Sequence, residues 1–142
     1  MSKGNTYEND PLKLIFNGTP IAGLADNAAS GALTNLYVAL HTADPGEAGD
    51  QTTSEATYPG YARVDVVRSD AGWTVTDNSV SPVERIEFGA ATAGGETITH
   101  FSVGTAATGT GKILYSGSVA PTIAVSSGVT PILTTSTAIT ED

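Results

Sequence analysis

The sequence predicts an all-β protein: an antiparallel β-sandwich or jelly roll of about eight strands, with a short N-terminal helix and an extended arm. From residue 35 onward, apolar and polar side chains alternate with a period of two, which is typical of half-buried strands. Turn signals rich in Gly, Pro, Asp and Asn separate these segments. No helical pattern lies between them, which favours a sandwich, with an up-and-down barrel as the alternative.

The chain of 142 residues is long enough for one domain with a sizeable core and too short for two comfortable ones. Residues 1–8 carry no hydrophobic pattern, so we expect them to form a flexible arm. Residues 9–142 are then expected to form a single β domain.

A short helix is predicted over residues 10–17. Asn9 or Asp10 can cap its first N–H groups, Pro11 suits the first helical position, and Gly18 can adopt the left-handed exit. One face of this helix is apolar and contains Leu12, Ile15 and Phe16. About two turns are too few for an isolated helix, so it must pack against another element.

The predicted strands share alternating, β-branched or aromatic side chains. They cover residues 36–41, 61–68, 73–76, 85–88, 97–103, 112–119, 122–125 and 130–137. The aromatic residues are spread through these strands, as core anchors of a sandwich would be.

Charge and composition exclude several classes of protein. Fifteen acidic and six basic residues give a formal net charge of -9, so contact with nucleic acid or an anionic membrane would meet repulsion. There is no cysteine, which removes disulfides and thiolate chemistry. No signal-like segment and no apolar run of membrane-spanning length is present, so we expect no membrane partner.

The stretch from Leu40 to Tyr61 is a long acidic connection between two predicted strands. Read from Asp44, it places Gly46 and Ala48 where a calcium-binding loop needs oxygen ligands, so it fails that motif. Loops longer than an ordinary hairpin are often functional. We therefore predict that this loop contacts a protein partner, and the candidate contact residues are Asp44, Glu47, Asp50, Glu55, Tyr58 and Tyr61.

No motif in the chain indicates catalysis. The run from Gly104 to Ile113 resembles a phosphate-binding loop, but its glycine and lysine spacing is wrong and a predicted strand follows it. His41 and His100 have no zinc-site spacing and are interpreted as ordinary strand residues. The G-x-S-x-G motif is also missing. We predict no catalytic, cofactor-binding or metal-binding residue and no enzyme activity.

Several stretches together carry a family resemblance: LYVALHTADPG with the GYARV that follows it, then GWTV, THFSVGTAATGTGKILYSGSV and TPILTTSTAITED. They resemble a family of small proteins encoded among the virion structural genes of tailed bacteriophages and prophages. Members are usually described as tail or tail-fibre proteins, and similar small jelly-roll proteins serve as capsid cement or decoration proteins.

The resemblance implies a virion component made in the cytoplasm of the host bacterium. We expect a capsid decoration protein on the capsid exterior, which binds the major capsid protein and neighbouring copies of itself and acts as a homodimer or homotrimer. The alternative is a tail or tail-fibre-associated protein that binds a host surface glycan through an exposed aromatic and carboxylate cluster, with Tyr58 and Tyr61 beside the acidic loop as the candidates. The resemblance supplies no catalytic residues.

Overall fold

The computed structural model describes residues 5–21, 24 and 32–141. Within them a short helical segment precedes nine strands, and the predicted all-β class with an N-terminal helix is confirmed. The strands are β1 (Asn35–His41), β2 (Val64–Val67), β3 (Trp73–Thr76), β4 (Ser79–Pro82), β5 (Ile86–Glu87), β6 (Thr97–Gly104), β7 (Ile113–Ala124), β8 (Ile132–Leu133) and β9 (Ile139–Thr140).

The N-terminal helix starts earlier than predicted. Helix α1 (Asn5–Leu12) is followed directly by a π-helical turn (Lys13–Asn17). The predicted start at residue 10 was wrong, because Pro11 lies inside α1 and not at its first position. Residues 5–8, assigned to the arm, are therefore helical, and residues 1–4 lie outside the described residues. Proline supplies no N–H to the helical ladder, and the wider turn begins two residues after it.

The exit of this helical segment follows the prediction. Gly18 has a φ of 68°, and its N–H donates to the carbonyl of Lys13, as a left-handed C-terminal cap does. The Arg68 guanidinium donates from Nε to the carbonyl oxygen of Ile15 at 2.6 Å and from Nη2 to that of Leu14. One side chain thus satisfies two carbonyls that the helix end leaves without internal partners.

The chain forms two compact units. One draws its described residues from 1–35, 66–85 and 134–142, and the other comprises 36–65 and 86–133. In the first unit, Phe16 packs edge-on against Trp73 with ring centroids 4.7 Å apart, and both side chains are buried. The single domain expected for residues 9–142 stays a prediction.

The strands form three sheets. The largest has the order β2-β1-β6-β7, the second β3-β4-β9, and the third consists of β5 and β8. Strand β6 pairs antiparallel with both β1 and β7, so β7 lies at an edge of the large sheet.

The register of β1 against β6 separates two faces. On one face Val38 lies opposite Val103 and Leu40 opposite Phe101, and all four are buried. On the other face the small and polar pairs Ala39 with Ser102 and His41 with His100 face each other. Ala39, His41 and Ser102 are also buried, so this polar face is covered as well.

Three strand predictions differ from the structure. Strands β4 and β9 were missed, since β4 is short, rich in serine and ends at Pro82, and β9 has only two residues. The separate strands predicted over 112–119 and 122–125 are one strand, β7. The register of β7 against β6 shifts between the pairs Ile98–Ile123 and His100–Ser118, so residues 119–122, which include Pro121, lie in an irregular part of this strand.

Candidate functional site

The acidic loop, residues 42–63 between β1 and β2, lies in the second unit and contains every predicted contact residue. Its Arg63 guanidinium donates from Nε to Oε1 of Glu55 at 2.6 Å and from Nη2 to Oε2 at 2.8 Å. The Arg63 side chain is only 3% exposed and that of Glu55 17%. This paired geometry is the strongest form of a carboxylate ion pair, and the hydrogen bonds to Glu55 raise the pKa of Arg63.

Arg63 also ties the acidic loop to the connection between β6 and β7. Nη1 donates to the carbonyl oxygen of Ala106 at 2.9 Å, and Nη2 donates to that of Gly109 at 2.8 Å. The stretch that resembles a phosphate-binding loop is therefore a strand connection whose carbonyl oxygens accept from Arg63.

The hydroxyl of Tyr61 also contacts the Glu55 carboxylate. Its hydroxyl donates to Oε1 of Glu55 at 2.9 Å and accepts from the backbone N–H of Leu40 at 3.1 Å. Its ring stacks on that of Phe88 at 6.3 Å between centroids. Burial raises the pKa of Tyr61 far above its ordinary value, so the hydroxyl keeps its proton as a donor to Glu55.

Gln51 anchors the middle of the loop. Its side chain is fully buried; Nε2 donates to the carbonyl oxygen of Tyr37 at 3.1 Å, and Oε1 accepts from the N–H of Ala106 at 3.1 Å. The amide lies against Gly104 and Gly111, where an added Cβ would come within 2.2 Å and 1.9 Å of Gln51 side-chain atoms. A Cβ at either glycine would therefore force this hydrogen-bonded amide to shift.

His41 and Ser102 form a buried hydrogen-bonded pair under the loop. Nδ1 of His41 lies 2.8 Å from the carbonyl oxygen of Thr53, and Nε2 lies 2.8 Å from Oγ of Ser102. A carbonyl oxygen only accepts, so Nδ1 carries the proton and Nε2 accepts from the serine hydroxyl. Desolvation lowers the pKa of His41, which favours this neutral form.

A serine hydroxyl in contact with a histidine nitrogen is also the geometry of a nucleophile and its general base. Both His41 and Ser102 have 0% exposure, so a substrate carbonyl cannot reach Oγ. The partner of Nδ1 is a backbone carbonyl and not a carboxylate. We interpret the pair as a structural tie between β1, β6 and the loop.

The end of the loop is held by Glu96. Its Oε1 accepts from the backbone N–H groups of Thr57 at 2.9 Å and Tyr58 at 2.8 Å. Tyr58 is 4% exposed, and its hydroxyl donates to the carbonyl oxygen of Gly89 at 3.0 Å. Burial, followed by the nearby Glu96 charge, raises the pKa of Tyr58 to about 12.

Three carboxylates of the loop lie toward solvent. Oδ1 of Asp44 accepts from the N–H of Gly46 at 2.9 Å, which forms a local turn. Asp50 accepts from the hydroxyl of Thr52 at 2.6 Å and from its N–H at 2.8 Å, and the side-chain hydrogen bond is the main cause of its lowered pKa. Glu47 is exposed.

A groove of about 380 Å³ runs between this part of the loop and strand β7. The loop contributes Asp44, Gly46, Glu47 and Gly49, and the strand contributes residues 113–116. Because alternate side chains of a strand point to opposite faces, a groove that touches four consecutive residues follows the strand edge.

The predicted contact residues thus fall into two groups. Asp44, Glu47 and Asp50 lie at the surface and two of them line the groove, whereas Glu55, Tyr58 and Tyr61 hold the loop in place from within. Tyr58 and Tyr61, expected beside the acidic loop as an exposed aromatic cluster, are instead packed against each other with centroids 5.4 Å apart. Contact with a partner stays a prediction for all six residues.

Sequence reasoning missed the residues that shape the loop: His41, Gln51, Arg63, Glu96 and Ser102. His41 was interpreted as an ordinary strand residue, and no local pattern marks Gln51 or Glu96. Arg63 offered the clearest signal, because it is a lone basic residue shortly after four carboxylates.

The described residues contain no group of three or more histidine or carboxylate side chains placed to hold a metal ion. Within the same part of the chain, no helix has the length and apolar character needed to cross a membrane.

Comparison with known proteins gives one family. The family model described as Podophage GP4 fiber I protein gp80 matches residues 4–140, which is nearly the whole chain. No curated protein matches the chain significantly.

Proposed function

Because the chain belongs to the Podophage GP4 fiber I protein gp80 family, whose members are phage virion structural proteins, we propose that it is a structural component of the phage tail fibre. The observation that carries this proposal is the family match over residues 4–140. The match confirms the expected virion component and favours the fibre alternative over the capsid decoration protein that we expected first.

The structure supports a scaffolding role through the way the acidic loop is held. A long loop normally loses conformational entropy when it binds, which weakens the contact. Here Arg63 ties the loop to the β6–β7 connection, and Gln51 and His41 tie it to β1, before any partner arrives. A rigid surface is suited to permanent assembly in a particle, because little ordering cost remains at the moment of association.

We further propose that the protein acts without catalysis. The half-buried carboxylate of Glu55 is paired with Arg63, and the Ser102 hydroxyl is fully buried beneath the loop. These groups contribute to stability and not to a reactive site.

Recognition of a host glycan does not form part of the proposal. A glycan site would need exposed aromatic faces that stack on sugar rings, and the candidates were Tyr58 and Tyr61. Tyr58 is buried, and the hydroxyl of Tyr61 is occupied by Glu55 and Leu40.

The location and copy number of the protein in purified virions test the proposal. We expect gold-labelled antibodies against the chain to mark the tail, and quantitative mass spectrometry to find few copies relative to the major capsid protein. Labelling of the head with a copy number near that of the major capsid protein would overturn the fibre role and establish a capsid decoration protein.

A further inference from the structure

Strand β7 is the longest strand among the described residues and has one open side. It covers Ile113–Ala124, twelve residues, and pairs with β6 on one side only. No other strand within residues 5–21 and 32–141 pairs with its outer side. A strand edge of this kind offers backbone N–H and C=O groups to another strand.

The sequence of β7 does not protect this edge by charge. Proteins usually block edge strands with charged side chains, and in this chain twenty-one charged residues are available. None of them lies between Ile113 and Ala124. The register of β7 against β6 shifts beside Leu114 and again over residues 119–122, which include Pro121, so the regular part of this edge is residues 115–118.

The order of side chains in β7 is self-complementary about Gly117. If two copies of β7 run antiparallel with Gly117 opposite Gly117, Ser116 of each copy faces Ser118 of the other. The same register places Tyr115 opposite Val119, an aromatic and β-branched combination that stabilises antiparallel strands. Ser116 and Ser118 are exposed in the single chain.

We propose that β7 pairs with β7 of a second copy of this chain, antiparallel and about a two-fold axis at Gly117. The contact is isologous, because the same residues are used on both sides. This inference does not depend on whether the virion carries the protein on the tail or on the head.

The groove beside β7 provides the space for the second strand. In the proposed register, partner residues 118 and 119 lie next to residues 115 and 116, which line the groove. These partner residues are small or apolar and uncharged, so they place no charge against Asp44 and Glu47.

The net charge of -9 on each copy opposes the pairing at low salt. Raising the salt from about 0.1 M to about 1 M shortens the screening length from ~10 Å to ~3 Å. Association should therefore strengthen as salt is added.

Introduced cysteines test the register, because the natural chain has none. We expect an equimolar mixture of Ser116→Cys and Ser118→Cys proteins, oxidised under mild conditions, to give mainly the mixed disulfide-linked dimer. Each variant alone should give several-fold less disulfide-linked dimer. The register does not bring position 116 near position 116 of the partner, nor position 118 near position 118. Mass spectrometry of the linked peptides identifies the pair.

A matched control is Thr74→Cys, an exposed position in the edge strand β3 of another sheet. It should cross-link no better than random collision allows. Equal cross-linking by Thr74→Cys, or no excess of the mixed dimer over the single variants, would overturn the proposal.

Sedimentation of the unaltered protein gives an independent test. We expect its mass to move from 14.4 kDa toward twice that value as concentration and salt increase. A monomer at all concentrations would contradict the proposal. Association that weakens with salt would also overturn it and would point to a basic partner segment for the groove.

Discussion

The guanidinium of Arg63 and the carboxylate of Glu55 meet through two hydrogen bonds of 2.6 and 2.8 Å beneath the acidic loop. Because Arg63 also donates to two carbonyl oxygens of the β6–β7 connection, this ion pair joins two segments that are about forty residues apart in the sequence. The rigidity proposed for the acidic loop depends on this ion pair.

Removing one member of this pair should be strongly destabilising. We expect Glu55→Gln to lower the free energy of unfolding by about 3 kcal/mol, because the buried Arg63 charge loses its partner. Chemical denaturation measures the change. The exposed Glu47→Gln variant, which removes the same charge from the surface, should change stability by less than about 0.5 kcal/mol. Similar losses for both variants would contradict the role assigned to the pair.

Packing around Gln51 predicts a coupled effect. Gly111→Ala should lower the free energy of unfolding by about 1–3 kcal/mol, because the new Cβ meets the amide of Gln51. In the double variant with Gln51→Ala that collision is gone, so the combined loss should be smaller than the sum of the two single losses. Simple additivity in denaturation experiments would show that the glycine is not required by this contact.

The lowered pKa of His41 predicts a dependence of stability on pH. The unfolded chain binds a proton near pH 6.5, whereas the folded chain resists protonation because His41 is desolvated. The free energy of unfolding should therefore fall as the pH decreases below 6.5 and should be insensitive to this group above it. His41→Gln should flatten the slope just below pH 6.5, as measured by chemical denaturation at a series of pH values. An unchanged slope in His41→Gln would show that His41 does not cause this pH dependence.

The raised pKa of Tyr58 predicts the opposite dependence at alkaline pH. The unfolded tyrosine ionises near pH 10 and the folded one only near 12, so the folded state loses stability as the pH rises through this interval. An absorbance titration of tyrosinate should show tyrosine that ionises at a pH well above the ordinary value of about 10. Tyr58→Phe should reduce the alkaline loss, at a cost of about 1 kcal/mol at neutral pH for the hydrogen bond to Gly89. Tyr7→Phe, at an exposed position, is the control.

Local pattern determined most of the elements of this protein, although it missed β4 and β9 and did not fix every limit. The alternation from Leu36 to His41 predicted β1, and Gly18 predicted the end of the helix, because both signals depend on neighbouring residues alone. Pro11 misled the prediction of the helix start, since proline is most often found in the first turn and here lies in the interior. The boundary predicted between residues 119 and 122 coincides with a shift of register inside β7 and not with the end of a strand.

By itself, the sequence determined the all-β class, the exclusion of disulfides and thiolate sites, and a family of phage virion proteins. Only the tertiary structure decided which residues of the acidic loop face solvent and which hold it. Glu55 and Tyr61 look like surface residues in the sequence, and the position of Arg63 does not reveal its partners. Their partners at Leu40, Ala106 and Gly109 are brought to them by strand pairing. Burial of a charge depends on contacts between distant segments, and no local pattern encodes those contacts.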